Sequence, residues 1–65
     1  MRFWQAMWDY NDQKDRYEQH GRLRDDPEDA VTDLFYEGYD ISTLVEDRGI
    51  YFCEKQNICV GVVSV

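Results

Sequence analysis

One histidine, one proline and two cysteines in 65 residues leave little material for the commoner kinds of site chemistry. A nucleophile activated by an imidazole base would need His20, an orienting third group and an oxyanion hole, and nothing near His20 in the sequence suggests them. Zinc is disfavoured, because five residues separate Cys53 from Cys59 and only one imidazole could assist. The acidic turn from Asp9 to Asp15 fails as a calcium loop: Gln13 stands at a ligand position, the glycine is missing, and His20 occupies the twelfth position, where glutamate is required. These scarcities argue against an enzyme, a metal or a cofactor, and no catalytic residue is assigned. The longest apolar stretch, Ile58 to Val65, has eight residues, against the roughly 20 that a membrane helix needs. Met1-Arg2-Phe3-Trp4-Gln5 is followed by neither a long apolar run nor a small-residue cleavage site, so the sequence reads as cytoplasmic, without a membrane role. Linkers, repeats and low-complexity tracts are missing too, which leaves one domain over residues 1–65.

What is present is aromatic and acidic. The 43% hydrophobic and 15% aromatic content exceeds what a disordered chain carries, and a domain this small buries only about 60% of the surface its unfolded form exposes. The net charge of −7 is unevenly placed. Met1 to Arg24 sums to +1 and Arg48 to Val65 to +1, while Asp25 to Asp47 holds nine carboxylates and no Lys or Arg. Such a segment repels phosphate and anionic headgroups and attracts basic surfaces over about one Debye length, about 8 Å at physiological salt. Direct nucleic-acid binding is thereby disfavoured, and a basic protein partner is favoured. The plainer reading is a solvated face that keeps a small protein dispersed.

The pattern predicts α+β architecture, a single helix packed on an antiparallel sheet in the approximate order ββαβββ. Trp4, Ala6, Trp8 and Tyr10 alternate as one face of a first strand, with Phe3 and Met7 on the other, although a helix fits residues 2–10 nearly as well. A polar turn at Asn11 to Asp15 leads into a second strand, Arg16 to Leu23. The helix start is marked by Asp26 as N-cap, Pro27 at the first helical position, and Glu28 and Asp29 against the positive dipole end. The helix should run to about Glu37, with Gly38 as its left-handed terminator. Ala30, Val31, Leu34 and Phe35 share the side expected to pack over Trp4 and Trp8. Ile41 to Glu46 reads as a strand, or as a short second helix capped by Asp40. Asp47-Arg48-Gly49 and Lys55-Gln56-Asn57 read as turns around Ile50 to Glu54. That register would set Cys53 opposite Cys59, close enough to bond, although a reducing cytoplasm favours free thiols. Ile58 to Val65 carries no charge to protect an edge, so it is either central in the sheet or paired across a homodimer.

Asp29, Asp33 and Glu37 form an i, i+4 row with a carboxylate roughly every 6 Å, extended by Asp25 and Asp26. Duplex DNA presents a phosphate on each strand about every 3.4 Å, so the row can imitate alternate phosphates, with Asp40, Glu46 and Asp47 supplying others. Tyr36 and Tyr39 lie beside the row and suit a protein contact that charge alone would leave weak. In its aromatic first strand, its capped Asp26-Pro27-Glu28-Asp29 helix, its acidic centre and its apolar last strand, the chain resembles the small acidic proteins that phages make against host factors. That class includes DNA mimics that occupy the DNA sites of uracil-DNA glycosylase, nucleoid proteins or CRISPR complexes, and small inhibitors of bacterial RNA polymerase. The resemblance is one of class and layout and carries no motif. It implies a non-enzymatic inhibitor acting in host cytoplasm on a basic nucleic-acid-binding protein. The alternative is an adaptor subunit that docks through its apolar strand or the Tyr36 and Tyr39 patch, with charge serving only dispersal.

Overall fold

In the computed structural model, which describes residues 1–65, the first ten-residue strand and the last strand of the chain pair with each other. β1 (Arg2–Asn11) lies antiparallel to β6 (Ile58–Ser64) in unbroken register from Arg2↔Ser64 to Trp8↔Ile58. β5 (Ile50–Cys53) flanks β6 on its other side, and β4 (Val45–Asp47) pairs with β5 to form one edge. Beyond β1 run two short strands, β2 (Arg16–Glu18) and β3 (Leu23–Arg24), which share its outer edge. The fold is a small α+β one in which a six-stranded antiparallel sheet carries a single helix, α1 (Pro27–Tyr36).

The expected order ββαβββ is corrected at its second strand, which the structure splits in two. Between the Trp8↔Glu18 and Gln5↔Leu23 pairs, β1 advances three residues and its neighbour five, so Gln19 to Arg22 leave the ladder. A bulge in β1 adds to this: Asp9 takes φ +63 and the register slips between Trp8 and Tyr10. The bulge turns Tyr10 onto the opposite face from Trp8, where it meets Tyr17 edge-on at 5.3 Å. The expected strand over Ile41 to Glu46 is corrected as well. Asp40 caps a 3₁₀ turn, Ile41–Thr43, through Ser42, and extended structure begins only at Val45.

Helix α1 forms where its capping residues place it. The Asp26 side chain accepts the Glu28 N–H at 2.9 Å. At the other end Gly38 adopts φ +96, while Gly38 N–H bonds Phe35 O and Tyr39 N–H bonds Leu34 O, a Schellman closure. Ala30 and Leu34 are buried against Ala6, Ile58 and Val60, with Trp4, Trp8 and Tyr39 packed around them. Phe35 is a correction, for it is 58% exposed rather than part of this core. The covered face of the sheet is thus Trp4, Ala6 and Trp8 of β1 with Ile58 and Val60 of β6, and strand alternation puts Phe3, Met7, Phe52, Cys59 and Val63 on the face that no helix covers.

Alternation also corrects the cysteine pairing. The loop after β5 has four residues, not three, so Cys53 pairs with Ile58 and Phe52 with Cys59. One residue of register moves a side chain to the other face. Cys53 therefore looks toward the helix side and Cys59 toward the open side, and both are free thiols.

Gly21 is the tightest point of the fold. Its N–H bonds Ala6 O at 3.0 Å, and a Cβ there would sit 2.7 Å from that oxygen. Gly21→Ala is expected to destabilise the protein by about 1–3 kcal/mol through overpacking against backbone, read as a lower urea midpoint at unchanged slope. Gly61→Ala should cost much less in the same experiment, because its Cβ would meet only the movable Met7 methyl, at 3.1 Å.

Candidate partner-binding surface

The ten residues singled out from the sequence do not form one continuous surface. Asp25, Asp26 and Asp29 are exposed around the first turn of α1, with Glu28 beside them. Asp33, the middle of the expected row, is taken. Arg24 on β3 donates to it through both Nε (2.9 Å) and Nη2 (2.7 Å), and the Asp33 side chain keeps only 16% of its surface exposed. The forked pair holds the Asp33 carboxyl below the usual range, chiefly through the Arg24 hydrogen bonds, and raises Arg24 correspondingly. An uninterrupted row was expected because Arg24 precedes the acidic segment, yet β3 pairing opposite Trp4 lays its side chain across the helix. The free carboxylates of the row are Asp29 and Glu37, about 12 Å apart along the axis.

The aromatic part is corrected too. Tyr39 folds back on the core, its ring 6.2 Å from Trp8, and burial, followed by the nearby charges of Asp9 and Glu37, pushes its hydroxyl pKa up. Tyr36 is 78% exposed, and it is Phe35 that stands beside it, edge-on at 5.8 Å. Leu34 already fills the space against the sheet and the next helical position rotates away, which leaves Phe35 on the rim. Asp40 spends its carboxylate on Ser42, accepting from N–H (3.0 Å) and Oγ–H (2.6 Å), and those bonds lower its pKa. Glu46 and Asp47 are exposed on β4, two strands beyond the β6 that α1 reaches. The surface that the geometry assembles is therefore the outer side of α1: Asp26, Glu28 and Asp29 at one end, Glu37 at the other, and the Phe35–Tyr36 pair beside Glu37.

Two polar clusters lie outside this surface. At the β1 bulge His20 Nε2 sits 3.2 Å from Asp9 Oδ2, and its ring lies 4.9 Å from that of Trp8. Sequence reading placed His20 as a strand residue and missed the pair, because the left-handed Asp9 that turns its side chain toward His20 leaves no signature in an aspartate. The second cluster surrounds Cys53. Thr43 Oγ1 lies 3.2 Å from its sulfur and Gln56 Nε2 3.7 Å, and these contacts with the backbone N–H groups of Gln56 and Lys55 lower the thiol pKa. Gln56 also clasps Asp40, accepting its N–H and donating to its carbonyl. His20 lies outside β1 and Cys53 on β5, with β6 between, a separation of at least about 10 Å, so the two do not form a nucleophile–base pair. No helix is long and apolar enough to cross a membrane.

Two outcomes follow from these groups. Asp33→Asn should lower the melting temperature at neutral pH by several degrees. Because the folded Asp33 pKa is depressed, the difference from the parent is full above about pH 5 and disappears as pH falls below the folded value, which thermal melts across that range will display. Cys53 and Cys59 are 7% and 8% exposed, and burial pushes the Cys59 thiol to about 11 whereas hydrogen bonds lower Cys53, so limiting alkylation near pH 8 should be slow at both in the folded protein and faster at Cys53 than at Cys59, as peptide mass spectrometry will read. Compared with known proteins, the chain matches no family model, no curated protein and no solved structure.

Proposed function

We propose that the protein is a non-catalytic inhibitor that engages a basic, nucleic-acid-binding surface of another protein through the outer side of α1. The observation that carries this reading is the exposed Phe35–Tyr36 pair set on a helix that bears five acids, Glu28, Asp29, Asp33, Glu37 and the cap Asp26, and no base. Glu37 at the C-terminal end and the absence of any Lys or Arg in the last turn both oppose the helix dipole. A helix selected only for stability would carry a cation there. Carboxylates at the two ends of α1 supply register and encounter rate, while the aromatic pair supplies the desolvated anchor. The partner's nucleic acid is excluded because the same basic groups are occupied. This is the mode of the phage-type inhibitors that the chain resembles, with one change: Arg24 neutralises the middle position, so charge is offered at about 12 Å intervals rather than 6 Å. A second reading, an adaptor that docks through Phe35 and Tyr36 with the acids serving dispersal, rests on the same exposed rings and differs in its salt dependence.

The test is capture of the partner from bacterial lysate on the immobilised protein, followed by titration of that partner with salt and with duplex DNA as competitor. The expected result is release by both. Asp29→Asn with Glu37→Gln should weaken binding about threefold to tenfold and flatten the salt dependence, since each solvent-exposed charge pair contributes only a fraction of a kcal/mol. Phe35→Ala with Tyr36→Ala should weaken it by more than about thirtyfold at every salt concentration, as loss of a hot spot does. Retention that resists both salt and DNA would reject the mimic and leave the adaptor. Asp33 is left intact in these variants so that fold and binding are not confused.

A further inference from the structure

We infer that the groove between α1 and the Ile41–Leu44 segment binds a cationic side chain with an alkyl stem, arginine above all, inserted by the partner protein. The inference rests on the reading of α1 as a partner-binding helix and adds which side chain of the partner is held. The last strand, which the sequence left free to pair across a dimer, is central: β6 is hydrogen-bonded to β1 on one side and β5 on the other and offers no edge. The unfilled space lies instead on the helix side of the sheet.

The groove exists because one helix is narrower than the sheet. An α-helix with its side chains is about 10–12 Å across, whereas five strands about 4.8 Å apart span about 19 Å. α1 packs on β1, β3 and β6, and toward β5 the same layer is covered by the 3₁₀ turn and Leu44. Between these two covers lies an open groove of about 360 Å³, with Glu28, Val31 and Thr32 of α1 on one wall, Ile41 and Leu44 on the other, and Tyr51 of β5 as its floor. That volume is at the low end of the range for ligand sites, and the lining is mostly apolar, as theirs is. Val31, Ile41, Leu44 and Tyr51 are all half-buried.

Charge selects the occupant. Both walls come from the segment Asp25 to Asp47, which holds nine carboxylates and no Lys or Arg. Glu28 is exposed on its wall; its backbone N–H and C=O are bonded to Asp26 and Thr32, and its carboxylate has no partner in the chain. Glu46 stands beside the floor, because it pairs with Tyr51 across the β4–β5 ladder. The ion pairs of the chain use Asp9, Asp33 and Asp47 and neither of these glutamates. A neutral apolar side chain would press against Glu28 without pairing it, and an anion would be repelled. A calcium or magnesium ion needs about six oxygen ligands, which one lining carboxylate does not supply. An arginine or lysine meets both demands of the groove, its methylenes lying on Val31, Ile41 and Leu44 while its charged head stays beside Glu28 at the open mouth. The Tyr51 floor favours arginine, whose guanidinium is drawn to aromatic rings.

The test is methyl NMR of the full chain, titrated with Nα-acetyl-arginine methylamide and, in parallel, with its uncharged counterpart Nα-acetyl-norleucine methylamide. The Val31, Ile41 and Leu44 signals should shift with both probes, and the arginine probe should bind about threefold to fivefold more tightly at low salt, the size of one exposed ion pair. Glu28→Gln with Glu46→Gln should bring the two probes to equal affinity. Thr32→Trp, at an exposed position where the larger ring fills the groove, should abolish the shifts from both with an unchanged far-ultraviolet spectrum. Equal affinity in the unmodified protein, shifts confined to the other face of the sheet, or no shift at all overturns the inference, as does an arginine preference that survives both glutamines. If the probes fail while Phe35→Ala with Tyr36→Ala still weakens partner binding, the groove is wrong and the reading of α1 stands. If the probes bind as expected while the partner resists salt and DNA, the groove stands without the mimic.

Discussion

The antiparallel pairing of the two end strands is the constraint on which the rest of the molecule depends. Seven consecutive register pairs join β1 to β6, and Met1 and Val65 exchange backbone hydrogen bonds beyond the last of them. This pairing closes the longest loop in the chain, so its entropic cost must be met by contacts that form only once it exists. It creates the surface on which Ala30 and Leu34 are buried, and it supplies the edges to which β2, β3 and β5 attach. Gly21 belongs to the same constraint, because the segment joining β2 to β3 must cross β1 at Ala6 with no space for a Cβ.

Pairing the ends also fixes two unlike faces. One helix is enough to cover only one side of a five-strand width; the acids of α1 lie on its layer, while Asp15, Asp47 and Glu54 border the other face. Arg24 adjusts the acidic surface of the helix. By forking onto Asp33 it anchors α1 to β3, and it removes from the acidic row the one carboxylate that the sequence made its centre.

The local elements were legible because their determinants are local. Asp26, Pro27 and Gly38 bound α1 by capping chemistry that acts within a few residues, and the helix begins where they place it and ends at Tyr36, two residues before Gly38. Arg48-Gly49 and the polar run after Asn11 marked turns for the same reason, Asn11 Oδ1 accepting the N–H groups of Gln13 and Lys14. The alternation of Trp4, Ala6 and Trp8 against Phe3 and Met7 identified a strand and held a further signal: a strand apolar on both sides calls for cover on both.

Tertiary structure decided whatever turned on register or on side chains arriving from elsewhere. One residue in the length of the loop after Cys53 separated two thiols that sequence spacing had set side by side, since strand faces alternate with period two. The left-handed Asp9 joined His20 to the bulge, and Tyr39 was drawn from the surface onto Trp8 by the Schellman closure. Composition and capping chemistry act over a few residues and can be read along the chain. Which carboxylate is free, which ring is exposed and which sheet face lacks a cover depend on distances across it, and those exist only when β1 and β6 have met.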